Sequence, residues 1–318
     1  MPGRINHLTI LPFEGHTIGA EVRGLDFSNP IPDAVSDELL AALHKHGVLV
    51  ARATNVTDDT MIALGSKWGP LDNIKAHKKA GRAFRLAADE IFDVSNIDAD
   101  DRIITEEDEL RTSSKRGNTL WHADGAYNPR RSGVSIIRAV ELPPKGLGGE
   151  TEFLDSRTAY EDLPEAKKAE IQNYVGMNTL LWNRKQANPD MPAFANIDCT
   201  QVPLAKHRIA QIHEPTGRGN LYVGSYNHHI EGLPVEEGRR ITDELMAHVT
   251  QEKYKLAVHY EHVGDVVFWD NTAVLHRATV GAYDGKYRRD MRRISTFDGS
   301  RWAYGENDPA NSEQVGLK

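Results

Sequence analysis

Five short runs rich in β-branched and aromatic residues, SGVSIIRAVEL, NLYVGSY, KLAVHYEHV, GDVVFWD and RRDMRRISTF, lie between Ser132 and Phe297. Joints bearing Gly and Pro, such as PPKGLGG, separate them. Runs of this length leave their backbone N–H and C=O groups unpaired unless neighbouring strands take them up. Helical patterns are predicted through PDAVSDELLAALHKH, capped by Asp33 and ended by Gly47, and through DDTMIALGSKW, SRTAYEDLPEAKKAEI and EEGRRITDELMAHV. They do not alternate regularly with the strands, as a parallel α/β sheet would require. The pattern therefore predicts a mainly β protein, a sandwich or jelly roll with flanking helices outside it.

With 318 residues, 39% of them hydrophobic, the chain can fill a large core, and neither an internal repeat nor a low-complexity linker divides it. A single domain spanning residues 1–318 is expected. The formal net charge of −8 argues against binding nucleic acid, since that affinity comes from neutralising many phosphates. One cysteine, Cys199, allows no internal disulfide and fits a reducing compartment. The opening MPGRINHLTILPFEG lacks a long apolar stretch, and no run approaches the roughly 18 apolar residues of a membrane span. A cytoplasmic protein without membrane contact is expected, with self-association left open.

The segment GNTLWHADGAY carries His122 and Asp124 two residues apart, so on an extended backbone both side chains project to one side and can share an ion. Alone, such a pair is as well explained by a histidine hydrogen-bonded to a carboxylate. Two histidines and one carboxylate on one face of an ion form the facial triad of non-haem Fe(II) oxygenases, which leaves three coordination positions open. Spacing does not select the second histidine: His276 follows the strand-like GDVVFWD, but fourteen histidines are present, and His228, His229, His259 and His262 are equally polar.

The chain resembles the Fe(II)/2-oxoglutarate-dependent dioxygenases of the taurine dioxygenase and 2,4-dichlorophenoxyacetate dioxygenase family. The resemblance runs through GAEVRGLDFSNPIPD, HGVLVARATNVTDDTMIALGSKWGPL, DVSNID, GNTLWHAD, LPPKGLGGETEF, WDNTAVLHRA and RRDMRR, in that order. It implies a double-stranded β-helix, with His122, Asp124 and His276 as iron ligands and Arg289, partnered by Thr151, as the seat of the far carboxylate of 2-oxoglutarate. It further implies O2 as co-reactant and places Asn118, Tyr226 and Trp269 along the substrate pocket. At Tyr226, Asn227 and His228 the chain departs from the chlorophenoxyacetate branch.

The basic run KYRRDMRRIS is concentrated in a chain of opposite net charge. Strand alternation sets Arg289, Met291 and Arg293 on one face and Arg288, Asp290 and Arg292 on the other. The second set neutralises itself and is expected to be a solvated surface network. The first places two guanidinium groups inward, where they need anions. The family pattern gives Arg289 to 2-oxoglutarate and Arg293 to an acid group of the prime substrate. The expected reaction is therefore oxidation of a C–H bond in a small anionic molecule, probed first as hydroxylation, with desaturation or cyclisation as alternatives. A zinc hydrolase on the same ligands and a non-catalytic jelly-roll binding protein are the competing readings from other classes.

Overall fold

The computed structural model describes residues 7–75, 85–105 and 108–310, so the first six residues of the N-terminal stretch read above lie outside the description. Fifteen strands are present among these residues. They are β1 (Thr9–Pro12), β2 (Ala20–Arg23), β3 (Val48–Ala51), β4 (Phe92–Asp93) and β5 (Ser132–Glu141). Next come β6 (Thr151–Asp155), β7 (Val175–Asn178), β8 (Ala205–Arg208), β9 (Ala210–His213) and β10 (Arg218–Leu221). The last are β11 (Asn227–Ile230), β12 (Lys255–Val258), β13 (Val266–Asp270), β14 (Val274–Ala278) and β15 (Asp290–Phe297). The large sheet runs β1-β2-β3-β13-β5-β15-β4, and two three-stranded sheets, β12-β6-β14 and β11-β7-β8, accompany it with the pair β10-β9.

Alternation within strands shows how the layers stack. On β3 and β13, Val48, Val50, Val267 and Trp269 join Phe153, Leu256, Val258 and Val274 of the β12-β6-β14 sheet in one apolar cluster. Their neighbours Leu49, Val266 and Phe268 face the opposite way, into a cluster with Leu39, Leu43, Met61 and Leu64. Those last four belong to helices α1 (Asp33–His46) and α2 (Asp58–Trp68). Burial on both faces explains why VLVA and VVFWD read as continuous apolar runs instead of alternating ones. Each such side chain contributes on the order of 1.5–3 kcal/mol of transfer free energy.

Helix α1 starts on Pro32 rather than on a capping Asp33, which is its first helical residue. It ends where expected, at Gly47, whose φ of 73° suits a residue without a β-carbon and whose N–H returns to Leu43 O. Further along are α3 (Glu109–Gly117), α4 (Ser156–Glu161), α5 (Glu165–Ile171) and α6 (Leu180–Ala187). The stretch read as one helix over SRTAYEDLPEAKKAEI is thus two, because Pro164 excludes its predecessor from helical backbone. NLYVGSY is strand only as far as Leu221. Beyond it, Tyr222 N–H bonds to Ile209 O and Ser225 N–H to Trp121 O. No described helix is long and apolar enough to cross a membrane.

Candidate active site

His122 and His276 are joined by backbone before their side chains meet. His122 N–H donates to His276 O at 3.0 Å and His276 N–H to His122 O at 2.8 Å, a lone antiparallel bridge outside the long ladders. The imidazoles consequently lie on one side, with centroids 4.3 Å apart. Asp124, two residues on, completes a buried group in which one ligand atom from each residue falls within 4.8 Å of the others. Asp124 Oδ1 stands 3.9 Å from His122 Nε2 and 3.6 Å from His276 Nε2.

Several contacts aim these atoms. His122 Nδ1 lies 2.7 Å from Leu120 O, so its proton belongs there and the Nε2 lone pair faces Asp124. His276 Nδ1 has no hydrogen-bond partner among the described residues; Phe153, Trp269 and His122 hold that ring by packing. Asp124 N–H donates to Asn271 Oδ1, and Ser135 Oγ donates to Asp124 Oδ2 at 2.9 Å. Ser135 receives Asn271 Nδ2–H, and Trp269 Nε1–H donates to Asn271 Oδ1. Trp269, expected along the substrate pocket, instead packs on His276 and supports the carboxylate through Asn271, because its strand position turns it into the layer between the sheets.

Protonation states suit a cation. Burial lowers the pKa of His122 despite the opposing charge of Asp124, and burial together with His122 pushes His276 well below the usual imidazole range. Burial alone would raise Asp124, but Arg293 and the two histidines outweigh it and hold the carboxyl at about 2. Two neutral imidazoles and one carboxylate are the donor set a divalent metal needs.

A cavity of about 290 Å³ opens on Asp124, with Asn118, Tyr127, Arg184, Tyr226, Arg289 and Arg293 in its walls. A larger hollow of about 470 Å³ beside Trp121, Trp182 and Arg239 reaches none of the three converging donors, so the chemistry favours the smaller one. Tyr226 stands edge-on to His122 and to Tyr127, at centroid distances of 5.6 and 4.8 Å. Among the described residues the Arg289 guanidinium donates to neutral carbonyls, Val94 O at 3.3 Å and Gly149 O at 3.0 Å, while the rings of Tyr260 and Tyr283 flank it. Its charge has no carboxylate within ion-pair distance among the described residues. Thr151, expected to bond beside Arg289, is tied to the Tyr260 hydroxyl at 2.9 Å, since the start of β6 turns it toward β12 and the residues that follow.

The arginine run divides by face, with two differences from expectation. Strand β15 begins at Asp290, and a bulge there shifts the register before Met291. Of the outer set, Arg288 does pair at the surface, with Asp101 and Glu141, but Asp290 and Arg292 are covered. Asp290 is buried, receives two hydrogen bonds from Arg85 and is approached by Arg292, whose Nη1 pairs with Asp58 under α2. The covering residues are distant in sequence, so alternation could not reveal them. On the inner face, Arg293 Nη1 donates to Asp124 Oδ1 at 2.9 Å, a partner the sequence did not suggest. Ser135, Asn271, Tyr127 and Arg184 were likewise not singled out, because no spacing links them to the histidines.

A family model described as "Taurine catabolism dioxygenase TauD, TfdA family" matches residues 9–295. The alpha-ketoglutarate-dependent 2,4-dichlorophenoxyacetate dioxygenase of Cupriavidus pinatubonensis is 32% identical over 281 residues, covering 88% of this chain and 94% of that protein. Pentalenolactone F synthase of Streptomyces avermitilis is 29% identical over 92% of this chain and 95% of its own. Among solved structures, AAD-2 in complex with Mn(II) and N-oxalylglycine superposes with a TM-score of 0.79 at 27% identity, covering 93% of this chain and 98% of that one.

Proposed function

This chain belongs to the TauD/TfdA family of Fe(II)- and 2-oxoglutarate-dependent dioxygenases, which have the jelly-roll fold, and on that premise we propose that it hydroxylates a C–H bond of a small carboxylate substrate. In this reading His122, Asp124 and His276 hold the iron, Arg289 with the Thr151–Tyr260 pair receives the far carboxylate of 2-oxoglutarate, and Arg293 meets an acid group of the substrate. The whole chain acts as one catalytic unit in the cytoplasm. The observation that carries the reading is the convergence of two imidazole Nε2 atoms and Asp124 Oδ1 beside a cavity walled by Arg289 and Arg293.

Bound Fe(II), 2-oxoglutarate and O2 supply the oxidising power, with release of succinate and CO2. The protein contributes position and charge. Leu120 O fixes the tautomer of His122, while Ser135 holds the Asp124 carboxylate through Oδ2 and Asn271 holds the Asp124 backbone N–H. The guanidinium of Arg289 offers paired donors in the plane a carboxylate requires. Tyr127 and Tyr226 supply an aromatic wall that limits water beside His122. Arg293, already within reach of Asp124, can orient a substrate acid against the same carboxylate ligand.

Anaerobic addition of Fe(II) and 2-oxoglutarate should produce a weak visible charge-transfer band, which a zinc hydrolase cannot give. A screen of small carboxylic acids should then couple succinate formation to a product 16 mass units heavier; a loss of two mass units would point to desaturation or cyclisation. Absence of the band, or substrate conversion without succinate, would overturn the reading.

A further inference from the structure

We propose that Arg184 is a substrate-recognition residue that binds a second acid group, so that the prime substrate is a dianion whose oxidised carbon lies between two guanidinium groups. The proposal rests on the function given above and concerns the same cavity.

The cavity wall holds more positive charge than its known occupants use. Its carboxylates each have a cation: Asp124 has Arg293, Asp93 has Arg85, and Asp284 has Lys115. Arg289 is placed for 2-oxoglutarate. Arg184 has no carboxylate within ion-pair distance among the described residues, and its hydrogen bond there goes from Nη1 to the neutral Asn183 Oδ1 at 2.6 Å. Four of its five N–H donors are thus uncommitted. Leaving a guanidinium without an anion in a confined cavity is costly, and a carboxylate can meet it through two parallel hydrogen bonds.

Arg184 is also seated. Helix α6 carries it, and the buried Asn183 ties that helix to Gly117 O at 3.0 Å and to Ser225 Oγ at 2.8 Å. The guanidinium rests over Gly117, where an added β-carbon would stand 2.9 Å from Arg184 Cζ. The absence of a side chain at residue 117 is what gives the cation its place. Arg111, on the first turn of α3 beside the exposed Leu110, lines the same cavity. Arg184 and Arg293 line the same cavity as Tyr127 and Tyr226.

The test uses enzyme loaded with Fe(II) and saturating 2-oxoglutarate under anaerobic conditions, titrated calorimetrically with dicarboxylic acids of increasing chain length and with the mono-amide of each. The amide keeps shape and removes one charge. At least one diacid should bind about tenfold or more tightly than its mono-amide. Arg184→Gln should reduce that margin to threefold or less while retaining the visible band, and Gly117→Ala, which crowds the guanidinium without deleting it, should shrink the margin partway. If no diacid outbinds its mono-amide, or if the margin survives Arg184→Gln, the proposal is overturned. Failure of the underlying function would register separately, as absence of the band before any acid is added, and would remove the proposal with it.

Discussion

The fold contains two clusters of the same composition, His122–Asp124–His276 and His44–Asp270–His213, and their spacing gives them opposite chemistry. In the second, Asp270 Oδ2 lies 2.7 Å from His44 Nδ1 and 2.9 Å from His213 Nε2, distances at which a proton sits between the atoms. Asp270 Oδ1 is occupied as well, by the N–H and hydroxyl of Thr272. In the first cluster the corresponding separations are 3.6 and 3.9 Å. Donors bound to one metal at about 2.0–2.2 Å stand about 3 Å or more apart, so that cluster can close on an ion. Asp270 clamps α1 to β9 and the end of β13 through both imidazoles, whereas Asp124 takes its hydrogen bonds from Ser135 and Arg293 and faces two Nε2 atoms too distant to hydrogen-bond it. Residue type alone does not separate a metal site from a clamp; the location of the protons does.

The largest expected effect follows from breaking the first cluster. His276→Ala should lower succinate formation on the order of a thousandfold and abolish the visible band, since the metal's several kcal/mol of stabilisation is lost. Circular dichroism and melting temperature should change little. Breaking the second cluster should do the reverse. Asp270→Asn puts an amide group where one oxygen bonds both His44 and His213, destabilising the protein by about 1–3 kcal/mol in urea unfolding. The remaining folded fraction should keep its band. If Asp270→Asn removed the band in folded protein, the distinction between the clusters would fail.

A smaller effect separates aiming from ligation. Ser135→Ala deletes the donor on Asp124 Oδ2 without touching Oδ1. Fe(II) affinity, measured by anaerobic titration, should weaken about 10–100-fold, with about 1 kcal/mol lost in stability. An unchanged affinity would mean that backbone placement and Arg293 alone orient the carboxylate.

The two clusters differ equally in how far the sequence reveals them. His122 and Asp124 are visible as an i, i+2 pair, and His276 emerges only from the family resemblance, because the bridge that joins it to His122 links distant segments. Nothing in spacing connects His44 on a helix, His213 on a short strand and Asp270 at the end of a core strand. Strands β5 and β13 were legible from continuous β-branched and aromatic residues, and α2 was legible in full. Helix α6 was not: Leu180, Leu181 and Trp182 are adjacent instead of recurring on one face, and Arg184 was missed with them. The buried setting of Asp290 depends on Arg85 and α2 arriving from elsewhere, information that alternation along β15 does not contain.

Acid titration sharpens the comparison most finely. Burial would raise Asp270, but hydrogen bonds from His213 and His44 outweigh it and hold the carboxyl well below its usual value. Its stabilising contribution is therefore complete above the unfolded carboxyl pKa of about 3.9 and is lost as pH falls through the folded value. His207 and His228, held at about 4, create a separate decline that begins below about 6.5, because the unfolded chain takes up protons there first. Subtracting Asp270→Asn from the parent in unfolding measurements cancels that common slope. The difference should stay constant from pH 7 to about 5, then shrink by up to about 1.4 kcal/mol per pH unit below about 3.9. A difference that stayed flat as pH fell below about 3.9 would mean that the Asp270 carboxylate does not hold the clamp.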